Sequence, residues 1–179
     1  WPQNPIDYFV LNKLEVLNKL PSNKANKEKL LRRVSFDLTG LPPSPGELDL
    51  FLEDDSVNAF EKTVDRLLAS KTYGERLAIE WMELARYAET NGIHHDFERN
   101  AWPWRDWVIK AFNDNMKYNE FVTWQLAGDL FDEPTYENKL ATAFNRNHRT
   151  TQECGAIDEE FRVSYVVDRT NTFGKAFLG

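Results

Sequence analysis

The chain has 179 residues, 41% of them hydrophobic and 13% aromatic, enough to bury a core and too apolar for a disordered polymer. Its net charge of −7 argues against nucleic acid as a partner, because neutralising phosphates takes a clustered basic surface. No apolar run approaches the ~18 residues of a membrane span. The single cysteine, Cys154, excludes an internal disulfide and a cysteine-rich metal site, and reads as a small core residue.

In chain order, Asn4-Pro5-Ile6-Asp7 supplies a cap, a proline at the first helical position and a first-turn acid. Ile6, Phe9, Val10, Leu14 and Leu17 then recur at helical spacing, up to a stop near Leu20-Pro21. Asn26 caps a second helix with Leu30, Leu31, Val34 and Leu38 on one face, stopped by Gly40. Ser44-Pro45-Gly46-Glu47 is a capping box opening a short helix to about Leu52. Asp54-Asp55-Ser56 starts another, with Val57, Phe60, Val64, Leu67 and Leu68 as its buried stripe. Thr72 begins a helix lined by Tyr73, Leu77, Trp81, Leu84 and Ala88.

Apolar periodicity fails from about Glu89 to Ala101, then restarts at Pro103 with Trp104, Trp107, Val108, Ala111 and Phe112 spaced for burial. Asn119 is placed to cap a helix carrying Phe121, Val122, Leu126 and Leu130. A shorter helix, about 135–145, buries Leu140, Ala141 and Phe144. A second polar stretch runs from Asn145 to Ala156. Asp158 then caps a last helix with Phe161, Tyr165, Val166 and Phe173. No alternating strand pattern appears. The expected fold is all-α, a single domain of about eight helices with two long polar loops flanking one cleft. Trp1-Pro2-Gln3-Asn4 reads as the middle of a longer protein or as a mature or trimmed start, and the apolar end from Phe173 to Gly179 reads as a chain cut before its partner segment.

The first loop holds two of the three histidines, and a polar connection rich in histidine and aromatics between strong helices is more often functional than a spacer. His94, His95 and Asp96 are ligand types for a metal, with His94 and His95 as the candidates, but their spacing is not that of a helical zinc site. Trp102 lies outside the predicted helix and is the better contact residue, whereas Trp104 and Trp107 read as core. If the helices between them pack as hairpins, Arg146, His148, Arg149 and Glu153 of the second loop face His94, His95, Asp96 and Arg99 of the first. That would bring acids, bases and anion-binding arginines into one cleft. Arg162, Asp168 and Arg169, on an otherwise apolar helix, are expected in ion pairs across a packed interface, with Arg86 and Asp106.

Arg32-Arg33-Val34-Ser35-Phe36-Asp37-Leu38-Thr39-Gly40-Leu41-Pro42-Pro43 resembles the signature of a cytochrome-associated domain family first described from planctomycetes, a family of unknown function. Asp65-Arg66-Leu67-Leu68-Ala69-Ser70, Tyr73-Gly74-Glu75-Arg76, Leu84-Ala85-Arg86-Tyr87-Ala88 and Gln125-Leu126-Ala127-Gly128-Asp129-Leu130 resemble further segments of it, in order. So do Arg105-Asp106-Trp107-Val108-Ile109 (behind Trp104, where the family has tyrosine), Glu159-Glu160-Phe161-Arg162-Val163 and Val167-Asp168-Arg169; Cys154 stands where a glycine is expected. The resemblance implies a large exported protein, periplasmic or extracellular. Its partners would be the remaining segments of the same protein, including one bearing haem c on a Cys-x-x-Cys-His motif outside these residues.

Three readings follow. In the first, this is the substrate-side or scaffold half of a haem-associated redox protein: Arg105, Arg146, His148 and Arg149 bind an anionic group, while His94, His95 and Glu153 handle protons or a metal. In the second, Trp102 is a sugar platform with Asp96 and Glu153 as an acid/base pair. In the third, the domain is a non-catalytic assembly module.

Overall fold

The computed structural model describes residues 2–179; Trp1, part of the start read as mid-chain or trimmed, lies outside the described residues. Nine α-helices form among the described residues: α1 Pro5–Val16, α2 Lys27–Thr39, α3 Pro45–Glu53, α4 Ala59–Leu68, α5 Lys71–Leu84, α6 Trp102–Asn113, α7 Tyr118–Ala127, α8 Tyr136–Ala141 and α9 Asp158–Phe177. Two 3₁₀ turns, Gly128–Leu130 and Thr142–Arg146, extend α7 and α8. The fold is all-α, with two isolated bridges and no sheet among the described residues.

Most helix starts follow the local chemistry. Asn4 with Asp7, Ser44 with Glu47, and Thr135 with Asn138 each close a capping box, in which side chain and backbone satisfy each other's free N–H groups. Gly40 ends α2 in the left-handed conformation, at φ 70°. Four starts differ from the pattern. α4 begins at Ala59, because Asp54 spends its carboxylate on the Ser56 N–H and on Lys62. α5 is capped by Ser70; α7 and α9 start behind Lys117 and Ile157, with no side-chain cap, instead of behind Asn119 and Asp158.

The main core joins α5, α6, α7 and α8 through Ala78, Trp81, Ala85, Trp104, Trp107, Val108, Ala111, Phe121, Ala141 and Phe144. Phe121 stacks on Trp107, ring centres 5.5 Å apart, and meets Trp81 edge-on at 5.0 Å. Gln125 is fully buried yet satisfied: it accepts from the Trp81 indole N–H at 2.9 Å and donates to the Phe121 carbonyl at 3.0 Å. A smaller cluster of Leu31, Phe51 and Ala59 holds α2, α3 and α4 together.

The predicted face of α5 is rotated. Gly74, Ala78, Trp81 and Ala85 are buried, and Leu84 is exposed. Small side chains win because α6 lies so close: a Cβ on Gly74 would stand 2.5 Å from the Ile109 carbonyl oxygen. Asn113 of α6 completes the contact, accepting the Gly74 N–H at 2.8 Å and donating to the Lys71 carbonyl at 3.1 Å.

Other expected burials fail. Ile6, Phe9, Val10 and Leu17 are exposed, because no element covers that face of α1 among the described residues. On α4 the covered face runs through Ala59, Thr63 and Leu67, leaving Val57 and Phe60 outside; Leu130, Val166 and Phe173 are also exposed. Cys154 is exposed, not core.

Gly74→Ala should lower stability by about 1–3 kcal/mol through overpacking against backbone. Gly46→Ala, with nothing within 4 Å of its Cβ, should leave stability unchanged or raise it by up to about 1 kcal/mol. Urea denaturation of the two variants checks the contrast, and equal effects would refute the close-approach account.

Candidate functional site

The two polar stretches do meet. The first leaves α5 through a Schellman turn: the Arg86 N–H donates to the Glu83 carbonyl at 3.1 Å and the Tyr87 N–H to Met82 at 2.9 Å. Arg86 itself takes the left-handed conformation, φ 58°, where glycine is usual. Its side chain reaches α9 and pairs with Asp168. The loop then folds back on itself. Asn91 N–H donates to the Phe97 carbonyl at 2.9 Å and Arg99 N–H to Glu89 at 2.8 Å, around a tip where Gly92, His94 and Asp96 all have positive φ.

The second stretch begins where the 3₁₀ turn ends at Arg146. Asn145 anchors that turn by donating to the Gln125 carbonyl at 3.1 Å. Thr150 joins the first loop by two bonds, N–H to the Asn91 carbonyl and hydroxyl to the Asn91 Oδ1, both 2.9 Å. Arg99 supplies the main tie. Its guanidinium donates to the carbonyls of Ala88 (3.1 Å), Arg146 (3.2 Å), His148 (2.9 Å) and Asn147 (3.3 Å). A planar fork with five N–H groups suits this converging set of carbonyls, and a lysine does not.

Between the loops lies a cavity of about 550 Å³. Arg99, Arg146, Asn147 and His148 line its polar side, with Trp104 and Leu140 among those on the apolar side. No carboxylate lines it, although the chain as a whole is acidic. Three lining residues carry buried nitrogens without a partner: Asn147 Nδ2 and Trp104 Nε1, both donors, and His148 Nδ1. Leaving such a donor unmet costs about 1–3 kcal/mol. Arg146 is exposed and has no ion-pair partner among the described residues. Burial pushes the His148 imidazole below its ordinary range, and the charge of Arg169 adds to this.

The other expected residues lie elsewhere. His94 and Glu153 form an exposed pair across the loop tips, Nε2 to Oε2 2.6 Å. His95 is exposed beside Phe97, ring centres 5.6 Å apart. Asp96 accepts the Gly92 N–H at 2.5 Å, and that bond, with the Thr90 hydroxyl, holds its carboxyl below the usual range. Trp102 is the first residue of α6, not outside it, and is half exposed. Arg105 is spent on Glu89 and Asp106, each at 3.0 Å. The Arg149 side chain lies over Gly92, 3.3 Å from where a Cβ would stand. Arg162 pairs with Glu159 on its own helix, not across an interface, and Arg169 donates to the Tyr165 carbonyl at 3.4 Å. Among the described residues no three His, Cys, Asp or Glu side chains stand close enough to hold a metal ion. Asn91, Asn147 and Ala143 are not singled out by the sequence, and Leu140 reads there only as core; the one available signal is the Asn91-Gly92 turn pair.

Fold and cleft together define an all-helical domain with a donor-rich cavity between two stapled loops. The sequence profile of PSCyt2, described as a protein of unknown function (DUF1549), matches residues 5–179, and the chain belongs to that family. No curated protein and no solved structure matches it. No helix among the described residues is long and apolar enough to cross a membrane.

Because the folded state disfavours the charged imidazole of His148, the residue contributes stability that is present above its unfolded pKa and lost as pH falls below about 6.5. Urea midpoints at about pH 7.5 and pH 5 should therefore diverge less in His148→Gln than in the parent chain; an equal divergence would remove His148 as a cause. Arg99→Lys should raise hydrogen-exchange rates of the Asn91, Arg99 and Thr150 amides at least tenfold, since about 1.4 kcal/mol of lost local stability suffices.

Proposed function

We propose that the cleft between residues 99–104 and 140–150 binds a small anionic ligand, as the ligand-side part of a larger redox-linked exported protein. One observation carries the binding part: in a chain of net charge −7, this cavity collects two arginines and two unpaired buried donors and excludes every carboxylate. Such a lining favours a negatively charged ligand over a neutral or cationic one of the same shape. The start of α6 adds the positive end of its helix dipole, with Pro103 and Trp104 in the lining, although the Trp104 N–H is itself bonded to the Ala101 carbonyl.

The redox-linked part rests on the family resemblance. A chain with one cysteine has no covalent attachment for haem c, so the haem would sit in another segment, and no electron-transfer step is assigned to these residues. The same resemblance supports a periplasmic or extracellular location. The sugar reading gains nothing from the geometry: Asp96, Glu153 and Trp102 do not line the cavity, and Asp96 is held ionised by the Gly92 N–H.

Titration with acetate, followed by amide shifts in NMR, should move the Arg99, Arg146 and His148 signals saturably. Arg146→Ala should weaken the binding about tenfold or more, the worth of a charge-assisted hydrogen bond, without changing stability. Acetamide should produce no such shifts. Equal responses to acetate and acetamide would sink the anion reading.

A further inference from the structure

We infer that the ligand of this cavity is a monocarboxylate with an apolar body, and not a phosphate, a sulfate or a compact dicarboxylate. The inference rests on the anion-binding reading above and narrows it by counting donors and mapping the wall.

The donor count sets the charge of the head group. Arg99 has five N–H groups, and four are committed to the carbonyls of Ala88, Arg146, His148 and Asn147. Its charge biases the cavity toward anions, but it has no pair of N–H groups left for a second fork. Arg105 is neutralised by Glu89 and Asp106, and Arg162 by Glu159. Arg146 alone of the lining residues offers a whole guanidinium fork, the geometry that takes the two oxygens of a single carboxylate. Asn147 Nδ2 and Trp104 Nε1 add single neutral donors, which suit the remaining lone pairs of a carboxylate, whereas a phosphate dianion calls for a second free cationic fork. Burial and the charge of Arg169 push His148 below its ordinary range, which works against its serving as a second cation.

The wall sets the rest of the molecule. Opposite the polar side the cavity is lined by Ala101, Pro103, Trp104, Leu140 and Ala143, from the start of α6, from α8 and from the turn after it. At about 550 Å³ the space exceeds what a bare carboxylate fills and falls within the usual range for small-molecule sites. Water held against this wall is released when an alkyl or aryl body covers it. Each methylene so buried multiplies affinity by roughly three to four. A chain of four further methylenes on acetate should thus tighten binding tenfold or more even if only half of them are covered.

The experiment compares sodium hexanoate, acetate, hexan-1-ol and inorganic phosphate on the full chain. The amide shifts of Arg99, Arg146 and His148 serve as the readout, so that adsorption on the exposed apolar faces of α1 and α9 does not register. Hexanoate binding at least tenfold tighter than acetate, and at least tenfold tighter than hexan-1-ol, with the second difference abolished in Arg146→Ala, is the expected result. Hexanoate no tighter than acetate would overturn the apolar body and leave the anion reading standing. Phosphate tighter than hexanoate would overturn the carboxylate and likewise leave that reading standing. Hexan-1-ol matching hexanoate, or no shifts with any of the four, would overturn both.

Discussion

The backbones of α5 and α6 touch at Gly74, and the rest of the architecture hangs on that contact. With no side chain there, the Ile109 carbonyl comes within what would be bonding-clash distance of a Cβ, and Asn113 ties the two helices by two hydrogen bonds. Close approach lets Ala78, Ala85, Val108 and Ala111 interlock, and it leaves the tryptophans of both helices to reach sideways into α7 and the turn after α8. Because the two helices are pinned so tightly, the residues between them must leave the bundle as a projecting loop. The second loop leaves from the neighbouring turn, which Asn145 fastens to α7. Two loops starting side by side from a rigid platform have little freedom but to pair.

Their pairing is polar throughout, and one cation organises it. Arg99 gathers four carbonyls that would otherwise be under-satisfied in a half-buried place, and Asn91 and Thr150 finish the seam. A guanidinium satisfied by carbonyls keeps its charge, whereas one satisfied by carboxylates loses most of its field. Arg99, held by carbonyls, and Arg146, without an ion-pair partner among the described residues, leave the cavity electropositive, whereas Arg105 and Arg162 are neutralised on the surface. The left-handed Arg86 fits the same scheme. A non-glycine residue there costs on the order of 1–2 kcal/mol, and what it gains is a pairing with Asp168 that holds α9 against the base of the first loop.

The helices and their loops were legible in the sequence because the signals are local. The capping box at Ser44, the Pro5 start and the 3.6-residue recurrence on α6 involve residues one turn apart, and each appears where the pattern put it. The two polar loops were legible for the same reason, as stretches where that recurrence stops. The rotated face of α5 was not. Tyr73, Leu77 and Leu84 are the larger side chains, but the face was chosen by backbone proximity, which favours Gly74, Ala78 and Ala85. The exposed stripe on α1 shows the converse: period alone marks an amphipathic face without saying that anything lies against it.

At the site the division is sharper. Residue types determined by themselves that acids, histidines and arginines would crowd two loops, and that these loops were the place to look. Only the tertiary structure decided how those residues were sorted, sending His94 and Glu153 to an exposed pair, Arg105 to surface carboxylates and Arg146 to a cavity without acids. It also brought in Asn147, Leu140 and Ala143, whose types carry no signal of a site. The physical reason is range. Helix propensity and capping act within one turn of chain. Whether a charge is neutralised, buried or left free depends on neighbours tens of residues away, such as the 49 positions that separate Arg99 from the His148 carbonyl.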